Sequence, residues 1–200
     1  MSQDVIMTGH GGGGKIAKDL LDDVIMPAVG NPVLDRRDDA AILPSNDNRL
    51  AFTTDSYVID PLFFPGGDIG KLAACGTIND LAMQGAEPLY LSLSLILEEG
   101  LPLDTLRCAL ESLRRVVDEK GITVATGDTK VVDRGRGGMY VNTAGIGQVP
   151  DGVDVDVRNA QPGDAVIVTG PVGEHGIAVM AEREGLNFET PIQSDVGPLS

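Results

Sequence analysis

Residues 68–97 read DIGKLAACGTINDLAMQGAEPLYLSLSLIL, and their apolar spacing changes once. Up to Gly85 the residues are small and apolar, Asp68 stands where a helix N-cap belongs, and Gly85 marks the exit. Beyond Pro88 the period is two: Leu89, Leu91, Leu93, Leu95 and Leu97 alternate with Tyr90, Ser92, Ser94 and Ile96. That alternation predicts a strand with one strongly apolar face. A capped helix feeding a one-faced strand points to a mixed α/β fold of the α+β type.

The pattern continues on both sides. Leu103, Leu106, Leu110, Leu113 and Val117 form the stripe of an amphipathic helix, with Pro102 at its start and Gly121 at its exit. Strands are predicted at Ala40–Leu43, Leu50–Thr54, Ile122–Thr126, Met139–Val149 and Ala165–Thr169, and a helix at Gly176–Glu184. Ile16 to Met26 reads as a short helix stopped at Pro27, after an arm, residues 1–15, whose glycines argue against regular structure. Three segments follow: arm and short helix at 1–37, a main domain at 38–160, and the beginning of a second, truncated domain at 161–200. One strand and one helix past residue 161 cannot bury a second core, so either they pack back onto the first domain or, the favoured expectation, the chain is a fragment.

Composition narrows the function. The 200 residues carry 15 basic and 30 acidic side chains, a net charge of −15, with 4% aromatics and no tryptophan. Such a surface repels phosphate backbones and anionic membranes and offers few stacking platforms, so neither nucleic acid nor membrane is an expected partner. Cys75 and Cys108 are the only cysteines, which excludes a disulfide framework, and both read as small buried hydrophobes. No apolar run reaches the roughly 20 residues of a membrane span, and the first residues lack the pattern of a signal peptide. The expected compartment is the cytoplasm.

Asp80 is the only charge between Ala73 and Gly85. A carboxylate in such a helix needs a cation, donors or water, since burial without them costs several kcal/mol. Asp38, Asp39, Asp55 and Asp128 fall beside predicted strand ends, where sheets gather ligands, and magnesium takes carboxylate and phosphate oxygens together. Each could instead cap a turn; Asp80, mid-helix, caps nothing. Gly9 to Lys15 has the spacing of a phosphate loop, but Ile16 stands where a magnesium-binding Ser or Thr belongs and no strand precedes it. Gly11, Gly12, Gly13 and Gly14 are either a flexible linker or an arm that lays backbone N–H groups over phosphates. Lys130 follows Gly127-Asp128-Thr129; it is either a surface lysine or a functional one. His10 and His175 are too few and too far apart to argue a metal site.

Taken together, Asp38-Asp39-Ala40-Ala41, Thr54-Asp55, Asn79-Asp80-Leu81-Ala82 and Gly85-Ala86-Glu87-Pro88 resemble the ATP-binding family of aminoimidazole ribonucleotide synthetase, selenophosphate synthetase and thiamine-monophosphate kinase. More specific words are GHGGGGK at 9–15, TTDSYVIDPLFFPGGDIGKLAACGTINDLAMQGA at 53–86, LEEG at 97–100, GDTKVV at 127–132 and GEHGIAVMAEREGL at 173–186. These resemble its HypE branch, the hydrogenase-maturation carbamoyl dehydratases. The resemblance implies an N-terminal domain whose mixed sheet forms a dimeric barrel with a second copy, followed by a second α/β domain. It implies ATP and Mg2+ as cofactors, with Asp38, Asp39, Asp55, Asp80 and Asp128 at nucleotide or metal positions. On the same resemblance Asp39, Asp55, Asp80 and Asp128 would be the metal ligands proper, Gly11–Gly14 would cover the phosphates, and Lys130 would be catalytic.

The implied activity is ATP-dependent dehydration of a C-terminal cysteine thiocarboxamide to a thiocyanate. The implied partners are a second copy, a HypF-type carbamoyltransferase and a HypC–HypD complex. A small-molecule kinase of the same fold, such as thiamine-monophosphate kinase, and a non-catalytic dimeric scaffold are the competing readings. Two departures stand out: neither cysteine is in a C-terminal position, and Arg36-Arg37 precedes Asp38 where the family more usually has glycine.

Overall fold

A computed structural model describes residues 6, 8–12, 14–45, 48–168, 170–186, 188 and 192–199. The chain divides into two compact units, Met1–Asp38 and Asp39–Ser200.

The first unit is helical. After a 3-10 turn at Thr8–Gly11 come α1 (Gly14–Leu20), a π-helical turn (Leu21–Ile25) and α2 (Met26–Val29). Pro27 therefore does not stop the helix as expected; it sits in the first turn of α2, where a missing N–H leaves no gap. Part of the expected irregular arm is likewise ordered as the 3-10 turn and the start of α1. Among the described residues, none of Gly14–Val29 or Leu34–Arg36 is buried. Salt bridges Lys15–Asp19, Lys18–Asp22, Arg37–Asp22 and Arg36–Asp38 lace its surface. Arg37 has φ 55°, the one positive φ outside glycine among the described residues. The departure noted before Asp38 thus falls on a left-handed position that glycine would adopt without strain.

The second unit is built on a five-stranded mixed sheet. Its strands are β1 (Ala41–Ser45), β2 (Asn48–Tyr57), β5 (Glu87–Glu98), β6 (Thr123–Val132) and β7 (Met139–Val149), in the order β1-β2-β7-β5-β6. All neighbours are antiparallel except the parallel pair β5–β6. A small ribbon, β3 (Phe63–Phe64) with β4 (Gly67–Asp68), leads into α3 (Ile69–Met83), whose first N–H groups the Asp68 carboxylate accepts. Helix α4 (Leu103–Lys120) connects β5 to β6, and α5 (Glu174–Glu184) follows β7.

One face of the sheet carries α3 and α4. Leu91 and Leu95 point into it and pack with Ile69, Ala74, Ile78, Leu113 and Val117. The helices can approach closely because position 70 is glycine: a Cβ there would stand 1.9 Å from the Ala109 carbonyl oxygen.

Two apolar positions break the simple stripes. Leu89 is exposed because an irregularity between Pro88 and Tyr90 shifts the register, and Leu103 lies in the first turn of α4, 66% exposed. Cys75 is buried, but Cys108 is exposed on α4, contrary to the expectation for both.

Strands β2 and β6 run further than the sequence signals suggest, to Tyr57 and Val132. The expected strand at Ala165–Thr169 is absent over its described residues 165–168. Val166 and Ile167 are 94% and 82% exposed there, and no neighbouring strand takes up their backbone groups. No helix among the described residues is long and apolar enough to cross a membrane.

Candidate functional site

The two faces of the sheet sort the candidate residues. On β2 the period of two turns Ala51, Thr53, Asp55 and Tyr57 toward α3, while Phe52, Thr54 and Ser56 point to the open face. Thr53 Oγ1 donates to Asp80 Oδ2 at 3.0 Å and also to the Asp39 carbonyl at 3.0 Å. One threonine thereby ties the loop entering β1 to the carboxylate on α3. Tyr57 donates to Asp55 Oδ2 at 3.1 Å.

Asp55 and Asp80 therefore lie together on the helix-covered face, with the Asp39 charge near enough to act on Asp80. Burial, with the adjacent Asp55 and the Asp39 charge, pushes the Asp80 carboxyl up to about 6, and the Thr53 hydroxyl opposes that rise. Burial also pushes the Tyr57 phenol well above its ordinary range.

These carboxylates suit a hard cation. They offer only oxygen, and magnesium is commonly held by one or two carboxylates plus substrate phosphates rather than by an all-protein cage. Among the described residues, no Lys or Arg forms a salt bridge with Asp39, Asp55 or Asp80, and no three His, Cys, Asp or Glu side chains gather closely enough to hold a metal alone. A charged phosphate–metal unit would supply what the protein leaves out.

Asp128 and Lys130 lie elsewhere. They are mid-strand on β6, not beyond a strand end, and the register Ser56–Asn142–Ser94–Asp128 puts Asp128 on the open face. Lys130 shares that face beside Ile96 and Tyr140. The Lys130 ammonium donates to Asp128 at 2.5 Å and holds its carboxyl below the ordinary value; both side chains are exposed. From β2 to β6 are three strand spacings, about 14 Å. Asp55 and Asp128 of one chain thus stand on opposite faces, too far apart to share one cation. The cause is plain: β6 continues through Gly127, whose missing Cβ admits the Leu93 carbonyl, so Asp128 is carried into the sheet.

Gly11, Gly12, Gly14 and Asp38 belong to the helical unit, with Asp38 bonded to Arg36; Gly13 lies outside the described residues.

Residues that sequence reasoning missed complete the picture. Thr77 and Thr143, fully buried, bridge α3 to β7 at 2.5 Å, and Thr77 Oγ1 lies 3.2 Å from the Tyr57 hydroxyl. Glu98 accepts the backbone N–H groups of Gly135, Arg136 and Gly138 at 2.8–2.9 Å, which drives its carboxyl down to about 2. The Thr53-Asp55-Tyr57 alternation carried a period-two signal for the first group; nothing local announces Glu98 as the clamp of a turn 37–40 residues away.

Comparison with known proteins bears on this arrangement. The family model described as "AIR synthase related protein, N-terminal domain" matches residues 37–149. The carbamoyl dehydratase HypE of Cupriavidus necator is 47% identical over 193 residues, 96% of this chain and 55% of its own length. That of Escherichia coli is 44% identical over 201 residues, 98% of this chain and 60% of its own. The chain thus spans little more than half the length of the curated relatives it matches.

Among solved structures, a HypE–HypF complex superposes with a TM-score of 0.85 at 47% identity, covering 90% of this chain and 58% of that one. HypE in complex with ATP superposes with a TM-score of 0.74 at 43% identity, covering 98% and 58%.

Proposed function

The chain belongs to the AIR synthase-related family, and from that premise we propose that it is the nucleotide-binding portion of an ATP-dependent carbamoyl dehydratase of hydrogenase maturation. The observation that carries the reading is the half-buried Asp80 carboxylate, raised by that burial and by Asp55 and Asp39, bonded to Thr53 and lacking any protein cation among the described residues, in a chain similar to a HypE solved with ATP.

Asp39, Asp55 and Asp80 would hold magnesium, whose positive charge would screen the triphosphate in this acidic site. Asp38 and the Gly11–Gly14 arm would supply further contacts to the nucleotide. In this reading residues 1–37 are arm and short helix, 38–160 the ATP-binding domain, and 161–200 the start of a second domain that completes the protein.

The protein works as a homodimer, closed over the open sheet face. Phe52, Ile146 and Tyr90 form a cross-strand row there, 39–49% exposed, and such a row favours pairing with its own copy. In this reading a partner's Asp128 and Lys130 complete a site that one chain cannot assemble from its own β6. Lys130 then serves as the catalytic cation, neutralising charge on the transferring phosphoryl group.

The chemistry follows from the substrate. An amide oxygen is a poor leaving group; transfer of the γ-phosphoryl to it gives ADP and an imidate phosphate. Loss of the N–H proton then expels inorganic phosphate and leaves the S–C≡N group. A HypF-type carbamoyltransferase loads the cysteine, a HypC–HypD complex receives the cyano group, and all act in the cytoplasm.

The full-length protein carrying a carbamoylated C-terminal cysteine should lose one water by mass, with one phosphate released, on addition of Mg-ATP. Phosphate release without that loss, or phosphorylation of thiamine monophosphate, would contradict the assignment.

A further inference from the structure

We propose that Tyr57 is a positioning residue, fixing the Asp55 carboxylate so that Asp55 and Asp80 present their oxygens to one divalent cation; this rests on the magnesium role proposed above for that pair. The Tyr57 hydroxyl stands between Asp55 Oδ2, at 3.1 Å, and Thr77 Oγ1, at 3.2 Å. Thr77 in turn meets Thr143 Oγ1 at 2.5 Å, and Thr143 lies 3.3 Å from the Ala73 carbonyl. Thr77 and Thr143 are fully buried.

Each hydroxyl has one proton, so the acceptors at the two ends of the chain fix the donors beside them. With Asp55 ionised, Tyr57 donates to Asp55 and Thr143 donates to the Ala73 carbonyl, which leaves the Thr77 proton for either Tyr57 or Thr143. The chain crosses three elements, β7, α3 and β2, so the Tyr57 hydroxyl, which holds the carboxylate from the same strand, is itself anchored in the packed core.

The sequence leaves room for it. A Cβ at Gly76 would stand 2.3 Å from the Tyr57 hydroxyl oxygen and 3.0 Å from its ring, so only glycine on that turn of α3 lets the hydroxyl reach both partners. Tyr57 also packs against the buried cluster of Ile69, Ala73 and Leu95, which fixes the ring. A carboxylate so oriented loses little freedom when a cation binds, and removal of such an outer hydrogen bond typically weakens metal affinity by about 10–100-fold.

The test uses the full-length protein with Mn2+ as a paramagnetic probe, titrated by electron paramagnetic resonance with and without ATP. ATP binding in a chelator and thermal melting are followed in parallel. Tyr57→Phe should weaken Mn2+ binding by about 10–100-fold and leave chelator-insensitive ATP binding unchanged. Gly76→Ala, which displaces the hydroxyl, should reproduce the effect, and Thr77→Val should give a smaller loss in the same direction. If Tyr57→Phe melts too low to be titrated, Gly76→Ala and Thr77→Val carry the comparison. Wild-type Mn2+ affinity in these variants, with Asp55→Asn weakened, would overturn the positioning role and leave the site standing. Wild-type affinity in Asp55→Asn would instead overturn the magnesium role of the pair.

Discussion

Replacing Asp80 by asparagine should stabilise the protein and disable it at the same time. The substitution keeps the shape and leaves an oxygen for the Thr53 hydroxyl, but removes a charge that folding disfavours. The rise from 3.8 to about 6, at about 1.4 kcal/mol per factor of ten, sets a ceiling of about 3 kcal/mol. Partial exposure to water reduces that to about 1–2 kcal/mol.

The sign follows from linkage. The folded value of Asp80 lies above its unfolded one, so its ionisation opposes folding. The penalty is absent below about pH 4, grows between about 4 and about 6, and is full above that. Asp80→Asn should therefore raise the melting temperature by about 2–8 °C at pH 7.5, and the gain should vanish near pH 4. Magnesium with ATP should stabilise the wild type at pH 7.5 and not the variant. The assay is paired thermal melts at both pH values, with and without Mg-ATP. A variant less stable than wild type at pH 7.5, or a gain that persists unchanged at pH 4, would refute the reasoning.

Other substitutions separate other parts of the account. Lys130→Ala in the full-length protein should lower turnover by about 100-fold or more while calorimetric ATP affinity stays near wild type; equal turnover would remove Lys130 from the chemistry. Glu98→Gln should loosen the turn at 134–138 and speed hydrogen exchange at Gly135, Arg136 and Gly138. The stability that Glu98 contributes is full above about pH 4.5 and is lost as pH falls toward about 2, because its folded value is depressed; the Gln variant should lack this acid-dependent loss in melts over that window. Gly70→Ala should lower stability by about 1–3 kcal/mol or more in urea denaturation, since its Cβ would collide with the Ala109 carbonyl.

Much of the architecture was legible in local patterns. The Asp68 cap, the alternation in β5, the stripe of α4 and the full extent of Met139–Val149 all follow from spacing, because each depends on residues within one element. What escaped depends on neighbours. β6 extends through Gly127-Asp128-Thr129-Lys130 because β5 offers a parallel partner along that length, so two site candidates moved from a strand end to an open sheet face. Residues 165–168 look like a strand and are not one here, because a strand exists only with a partner. Asp80 was legible as an odd charge in an apolar helix, but Thr53, Tyr57, Thr77 and Thr143, which orient its surroundings, are polar groups satisfied across elements. Only tertiary structure shows which hydroxyl meets which carboxylate.

The most direct test of the site is complementation between copies of the full-length protein. Asp80→Asn and Lys130→Ala subunits are each inactive alone in this account. Mixed after reversible dissociation, they form dimers in which one site joins the intact Asp80 of one copy to the intact Lys130 of the other. Mixing should restore about a quarter of wild-type dehydration, since half the dimers are mixed and each has one working site. Mixtures as inactive as the separate variants would contradict a site shared across the dimer.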